Sequence, residues 1–78
     1  MPRFPVDARR DKILRAFAIL GFQATIKEHI HLERANPDGT TATATLPNHN
    51  IIQGPTLLSA CRQAGIPRNE FIAAFERA

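Results

Sequence analysis

Between Phe22 and Leu46 the apolar residues recur at every second position, whereas the segments on either side repeat at three and four. Phe22, Ala24 and Ile26 alternate with Gln23, Thr25 and Lys27. Ile30 and Leu32 alternate with His29, His31 and Glu33, and Ala42, Ala44 and Leu46 alternate with Thr41, Thr43 and Thr45. A period of two gives each stretch one apolar and one polar face. That pattern predicts an antiparallel sheet packed on one side and wet on the other. Asn36-Pro37-Asp38-Gly39 is a strong turn signal between the second and third stretches, and a tight turn is expected near Lys27-Glu28.

The flanks read as helices. From about Asp7 to Leu20, the residues Ile13, Leu14, Phe17, Ala18 and Leu20 form a helical stripe, with Arg9, Arg10, Lys12 and Arg15 mostly off it. Gly21 stands where a helix ends. Residues 1–6, with Pro2 and Pro5, read as an extended lead-in. Pro47-Asn48-His49-Asn50 closes the sheet. Gly54-Pro55 opens a helix with Pro55 at its first position; Leu57, Leu58, Ala60 and Cys61 supply its buried face and Gly65 ends it. Pro67 starts a short last helix carrying Phe71, Ile72 and Phe75. The expected fold class is α+β in the order α-β-β-β-α(-α), a three-stranded antiparallel sheet with helices on one face. The opposite face, open to solvent, is where function should be sought.

Size limits the alternatives. A chain of 78 residues buries only about 60% of the surface its unfolded form exposes, so residues 1–78 are expected to form one domain. That leaves no room for a nucleotide-binding parallel sheet or a barrel enzyme. The single cysteine, Cys61, rules out an internal disulfide and a multi-cysteine zinc site, and is expected to be a small buried helix residue. No apolar run approaches the roughly 18 residues of a membrane span. MPRFPVDARRDK lacks the apolar core of a signal peptide, so a cytoplasmic location is expected.

The net charge of +3 is unevenly placed. Arg3, Arg9, Arg10, Lys12 and Arg15 face only Asp7 and Asp11 through residue 15, while beyond it bases and acids cancel. A polyanion such as RNA suits that excess, and so does an ordinary solvated basic helix face.

The polar side of the second strand holds His29, His31 and Glu33, with Lys27 just ahead. Side chains two apart on a strand share a face at about 6–7 Å. Two imidazoles placed so suit phosphodiester cleavage, because RNA carries its own nucleophile, the 2′-OH. A neutral imidazole removes that proton and a protonated one supplies a proton to the leaving 5′-oxygen; a free imidazole, with a pKa of about 6.5, offers both forms near neutrality. A nearby Lys or Arg stabilises the charge that builds on phosphorus. The plainer alternative is that both are surface residues. A zinc site needs about three or four ligands, for which His49 and Glu33 are the available additions; no metal and no cofactor are expected. Ser59, the only serine, sits mid-helix with no acyl-transfer motif around it, and no glycine-rich phosphate loop exists.

At this point the chain resembles the HicA family of bacterial toxin ribonucleases. The resemblance runs from about Phe4 to the C-terminus. It rests on Leu20-Gly21-Phe22, Lys27-Glu28-His29-Ile30, the Asn36–Gly39 turn, Leu46-Pro47-Asn48-His49, and Gly54-Pro55-Thr56-Leu57 leading to Arg62-Gln63-Ala64-Gly65-Ile66. It implies a small fold like that of double-stranded-RNA-binding domains and a metal-independent endoribonuclease that cleaves mRNA. It also implies a HicB-type antitoxin partner that covers the active face. The family's catalytic histidine corresponds to His29, with His31 as assistant or, should the hairpin register slip, as its replacement. His49 matches a family histidine that supports either the site or the fold. Lys27 and Arg34 are candidate RNA contacts and Arg62 a weaker one, although alternation sends Arg34 toward the helices unless the strand ends first. Lys27 replaces the family's glycine, Gln53 stands where a basic residue is common, and Pro67 stands where a Ser or Thr cap is common; these departures bear on RNA affinity more than on fold. A non-catalytic RNA-binding or antitoxin-binding module on the same fold is the alternative.

Overall fold

The computed structural model describes residues 3–78. Its elements are β1 (Asp7–Arg9), α1 (Arg10–Ile19), β2 (Gln23–Ile26), β3 (His29–Ala35), β4 (Thr41–Pro47), β5 (Ile51–Gln53), α2 (Gly54–Ala64) and α3 (Arg68–Arg77). β3 is the middle strand of an antiparallel three-stranded sheet ordered β2-β3-β4. The α+β class and the expected core order stand, with one addition. β1 and β5 form a separate antiparallel ribbon pairing Asp7 with Gln53, Ala8 with Ile52 and Arg9 with Ile51. The first helix therefore starts at Arg10 rather than near Asp7, because the three preceding residues take strand partners. The expected lead-in is described from Arg3 on; Pro2 lies outside the described residues.

The alternation of β3 and β4 appears directly as burial. Ile30, Leu32, Ala42, Ala44 and Leu46 are buried, while His29, His31, Glu33, Thr41, Thr43 and Thr45 are exposed. β2 departs from the expectation. Phe22 is buried just ahead of it, but Ala24 and Ile26 are exposed, Ile26 to 57%. The helices cover β3 and β4 and leave the edge strand β2 overhanging.

Ile13, Ala16 and Phe17 of α1 face the core, as do Leu57, Ala60, Cys61 and Ala64 of α2 and Phe71 and Ala74 of α3. All five phenylalanines join in one chain of ring contacts. Phe17 meets Phe22 edge-on at 5.3 Å and Phe71 at 5.3 Å, and Phe71 in turn meets Phe4 at 5.7 Å and Phe75 at 5.9 Å. Such contacts add about 0.5–1.5 kcal/mol each beyond area burial. Cations lie over two of the three outer rings of the cluster: Lys12 Nζ is 4.4 Å from Phe75 and the Arg34 guanidinium 4.7 Å from Phe22.

The connections follow local chemistry. In the Asn36–Gly39 turn Asn36 N–H donates to the Thr40 carbonyl, and the Asp38 carboxylate accepts from both the hydroxyl and the backbone N–H of Thr40. Those bonds, the hydroxyl's first, hold the Asp38 carboxyl below its usual pKa. Pro67 precedes α3 as its cap residue rather than its first turn, and its carbonyl accepts from Phe71 N–H at 3.1 Å. α2 ends on Gly65 in the left-handed region at φ 72°, with Gly65 and Ile66 N–H groups returning to Arg62 and Cys61 carbonyls. Gly54 is required for a different reason. Its N–H donates to the Val6 carbonyl at 2.6 Å, and a Cβ there would lie 2.5 Å from the Pro5 carbonyl oxygen. Only a residue without a side chain lets the start of α2 sit against the segment leading into β1.

Two outcomes follow from this core. Phe71→Ala removes a ring touching three others and should lower stability by about 3–5 kcal/mol, enough for thermal or urea denaturation to show a largely unfolded protein at room temperature. Cys61 is fully buried, and burial pushes its thiol up from 9.0 to about 11. The thiol should resist alkylation in the folded protein and react at once in denaturant. Because the folded state holds this proton longer than the unfolded chain, its contribution is complete below pH 9.0 and is lost as pH rises toward about 11. The slope is at most about 1.4 kcal/mol per pH unit, measurable by urea titration across that window.

Candidate functional site

Among the described residues no polar or charged side chain is buried, so any chemistry lies at the surface. The open face of the sheet is built by strand register. His31 sits between Thr25 of β2 and Thr45 of β4; Glu33 sits between Gln23 and Thr43; His29 faces Pro47. Paired residues share a face, so the two imidazoles, the Glu33 carboxylate and a border of hydroxyls and amides form one polar surface. His29 and His31 are both exposed, and among the described residues neither imidazole has a hydrogen-bond partner.

The hairpin that carries His29 closes tightly. Ile26 pairs with Ile30, and Lys27 N–H donates to the His29 carbonyl at 3.0 Å. No described non-glycine residue has positive φ, so Lys27 makes this turn without left-handed strain. The hairpin is also held from outside. Asn48, in the loop after β4, donates through Nδ2 to the Lys27 carbonyl at 3.0 Å and accepts through Oδ1 from the Arg10 guanidinium. Arg10 N–H in turn donates to the Asn50 carbonyl at 2.9 Å. One end of the molecule thus gathers the Lys27–His29 hairpin, the Asn48–Asn50 loop and the first residue of α1.

The other expected site residues lie elsewhere. Arg34 points to the helix side, as alternation implied. Its Nη1 donates to the Leu20 carbonyl at 3.0 Å, its Nε donates to the Asn36 amide oxygen at 3.2 Å, and its plane covers Phe22. It clamps the end of α1 to the turn after β3 and does not share the histidine face. Arg62 is exposed in the last turn of α2. That helix runs along the outer edge of β4, where the neighbouring Gln63 accepts the Thr45 N–H through Oε1 at 3.2 Å. The histidine face therefore holds His29 and His31 but neither Arg34 nor Arg62, with Lys27 in the adjoining turn. Among the described residues no three His, Cys, Asp or Glu side chains are grouped so as to hold a metal ion, and no helix is long and apolar enough to cross a membrane.

Sequence reasoning missed Asn48 and Arg10. Their partners are 21 and 38 residues away, and a polar loop residue carries no periodic signal. The only hint was the position of Asn48 between Pro47 and His49 in a stretch already marked as the end of the sheet.

No protein family, curated protein or solved structure matches the chain.

If Asn48 fixes the hairpin, Asn48→Ala should lower stability by about 1 kcal/mol and speed amide exchange at Lys27 roughly fivefold. Exchange at Leu32, in the middle of β3, should change far less. Amide hydrogen exchange followed by NMR reads both.

Proposed function

We propose that this chain is the toxin of a type II toxin–antitoxin pair: a HicA-like endoribonuclease that cuts mRNA by metal-independent acid–base chemistry in the cytoplasm, and is silenced by a HicB-type antitoxin laid over the open sheet. The reading is carried by the common exposure of His29 and His31 on one face of β3, with Lys27 in the adjoining turn.

The chemistry needs little apparatus. One imidazole takes the proton of a ribose 2′-OH, and O2′ attacks the adjacent phosphorus. The P–O5′ bond breaks as the other imidazole, protonated, gives its proton to O5′. A proton has passed from O2′ to O5′, leaving a 2′,3′-cyclic phosphate and a free 5′-hydroxyl. Lys27 offers a cation for the charge that gathers on the phosphoryl oxygens. Two side chains spaced about 6–7 Å apart reach both sides of one phosphodiester. An exposed sheet face also suits a flexible single strand, whose phosphates are accessible from outside.

A second reading has one observation in its favour. Catalytic imidazoles are commonly oriented by a hydrogen bond, and among the described residues His29 and His31 have none. On that reading the same face only binds RNA or the antitoxin.

One assay separates them. Purified protein incubated with RNA in excess EDTA should yield fragments with cyclic-phosphate and 5′-hydroxyl ends. His29→Ala should slow cleavage by about 10²–10⁴-fold and His31→Ala by less, and inducible expression should arrest growth for the wild type alone. Activity that disappears on chelation, or an alanine variant as active as the wild type, would overturn the proposal. RNA retention without cleavage would establish the binding module.

A further inference from the structure

A hollow of about 270 Å³ opens where β4 gives way to β5 and α2, lined by Pro47, His49, Ile51, Ile52, Gln53 and Thr56. We infer that it is a nucleobase subsite that sets which nucleotide lies next to the cleaved bond. The inference extends the ribonuclease reading by giving it a specificity pocket.

The location fits that role. Pro47, one wall of the hollow, is the register partner of His29 across the β3–β4 ladder. A base held there hangs beside the imidazole rather than at a remote surface. The lining also fits a planar heterocycle. Pro47 and Ile51 offer apolar surface, and Ile51 is 50% exposed with no tertiary cover to account for it. His49 supplies a ring for stacking, as unstacked RNA bases take from aromatic side chains. Gln53 and Thr56 supply edge groups, and a carboxamide both donates and accepts, as reading a base edge requires.

The backbone of Gln53 pairs with Asp7, but its side chain makes no hydrogen bond among the described residues. Gln53 holds the place before the first turn of α2, where Ser, Thr, Asp or Asn would bond the helix N–H groups, yet its side chain makes no capping bond. Its amide is left to the hollow. The side chain that would hold a neighbouring phosphate lies across the ribbon. Arg9 pairs with Ile51, and the two line a second, smaller hollow of about 200 Å³ together with Arg10, Asp11 and Asn50. Arg10 is turned toward Asn48 and lies 4.0 Å from Asp11, so Arg9 is the cation available to a phosphate. One nucleotide can thus lay its base against Ile51 from one side and its phosphate near Arg9 from the other.

The test does not depend on cleavage. The ¹⁵N-labelled wild-type protein is titrated by NMR with each of the four ribonucleoside 5′-monophosphates and, separately, with inorganic phosphate. The expected result is base-dependent shifts at Ile51, Gln53 and Thr56, with one nucleotide bound at least threefold more tightly than the weakest. Gln53→Ala, and independently Thr56→Val, should reduce that preference to less than twofold while leaving the spectrum folded. In the cleavage assay Gln53→Ala should redistribute the cut sites without slowing cutting as far as His29→Ala does. Shifts at the hollow in a protein that cuts no RNA would support the subsite and remove the ribonuclease reading. The inference is overturned if phosphate alone reproduces the shifts, if the hollow's signals do not move, or if both variants keep the wild-type preference.

Discussion

The fold depends on the contact of Phe17 with Phe71. These two buried rings join α1 to α3, and through them Phe22, Phe4 and Phe75 are drawn into one aromatic assembly. In a domain this small, little apolar surface is available elsewhere, and each large ring carries a large share of the burial. The interior that results is wholly apolar among the described residues. An apolar interior of this kind has no tolerance for an unpaired polar group. Polar chemistry is therefore confined to the outer surface, which includes the side of the sheet turned away from the rings.

Cations hold the edges of that assembly. Lys12 and Arg34 each lie over a ring and keep their charge near water. Arg34 also ties Leu20 to the turn after β3, which anchors the strand carrying both histidines at the end opposite the Lys27 hairpin. The hairpin end is fixed separately by Asn48 and Arg10. β3 is thus restrained at its two ends by two arginines, and the stretch between them keeps a regular register. A sheet so restrained can present two side chains on one face without a buried polar scaffold beneath them.

The residues that alternate were legible because a period of two survives without tertiary knowledge. His29, His31, Thr43 and Thr45 fell on the wet face and Ile30, Leu32, Ala44 and Leu46 on the dry one, as spacing alone indicated. The same reasoning turned Arg34 toward the helices. Alternation could not show that β2 would extend past the helix layer, since coverage depends on where helices dock and not on pattern, and so Ala24 and Ile26 misled. The β1–β5 ribbon was invisible for another reason. Strands three residues long hold too few positions to display a period, and Asp7-Ala8-Arg9 followed by a helical stripe reads as the helix start. The Asn48 contact with Arg10 joins segments that the ribbon brings close, and the hollow beside Gln53 depends on how the chain bends between β4 and α2; single-chain patterns carry no trace of either.

The two outer margins of the three-stranded sheet are unlike. Along β4 the helix α2 lies close, and Gln63 already occupies the Thr45 amide. Among the described residues, no side chain bonds the outer backbone of β2 in this way. A strand arriving from another polypeptide can zip onto the sheet from one direction only. Two copies of the chain meeting β2 to β2 would use up the open margin of each.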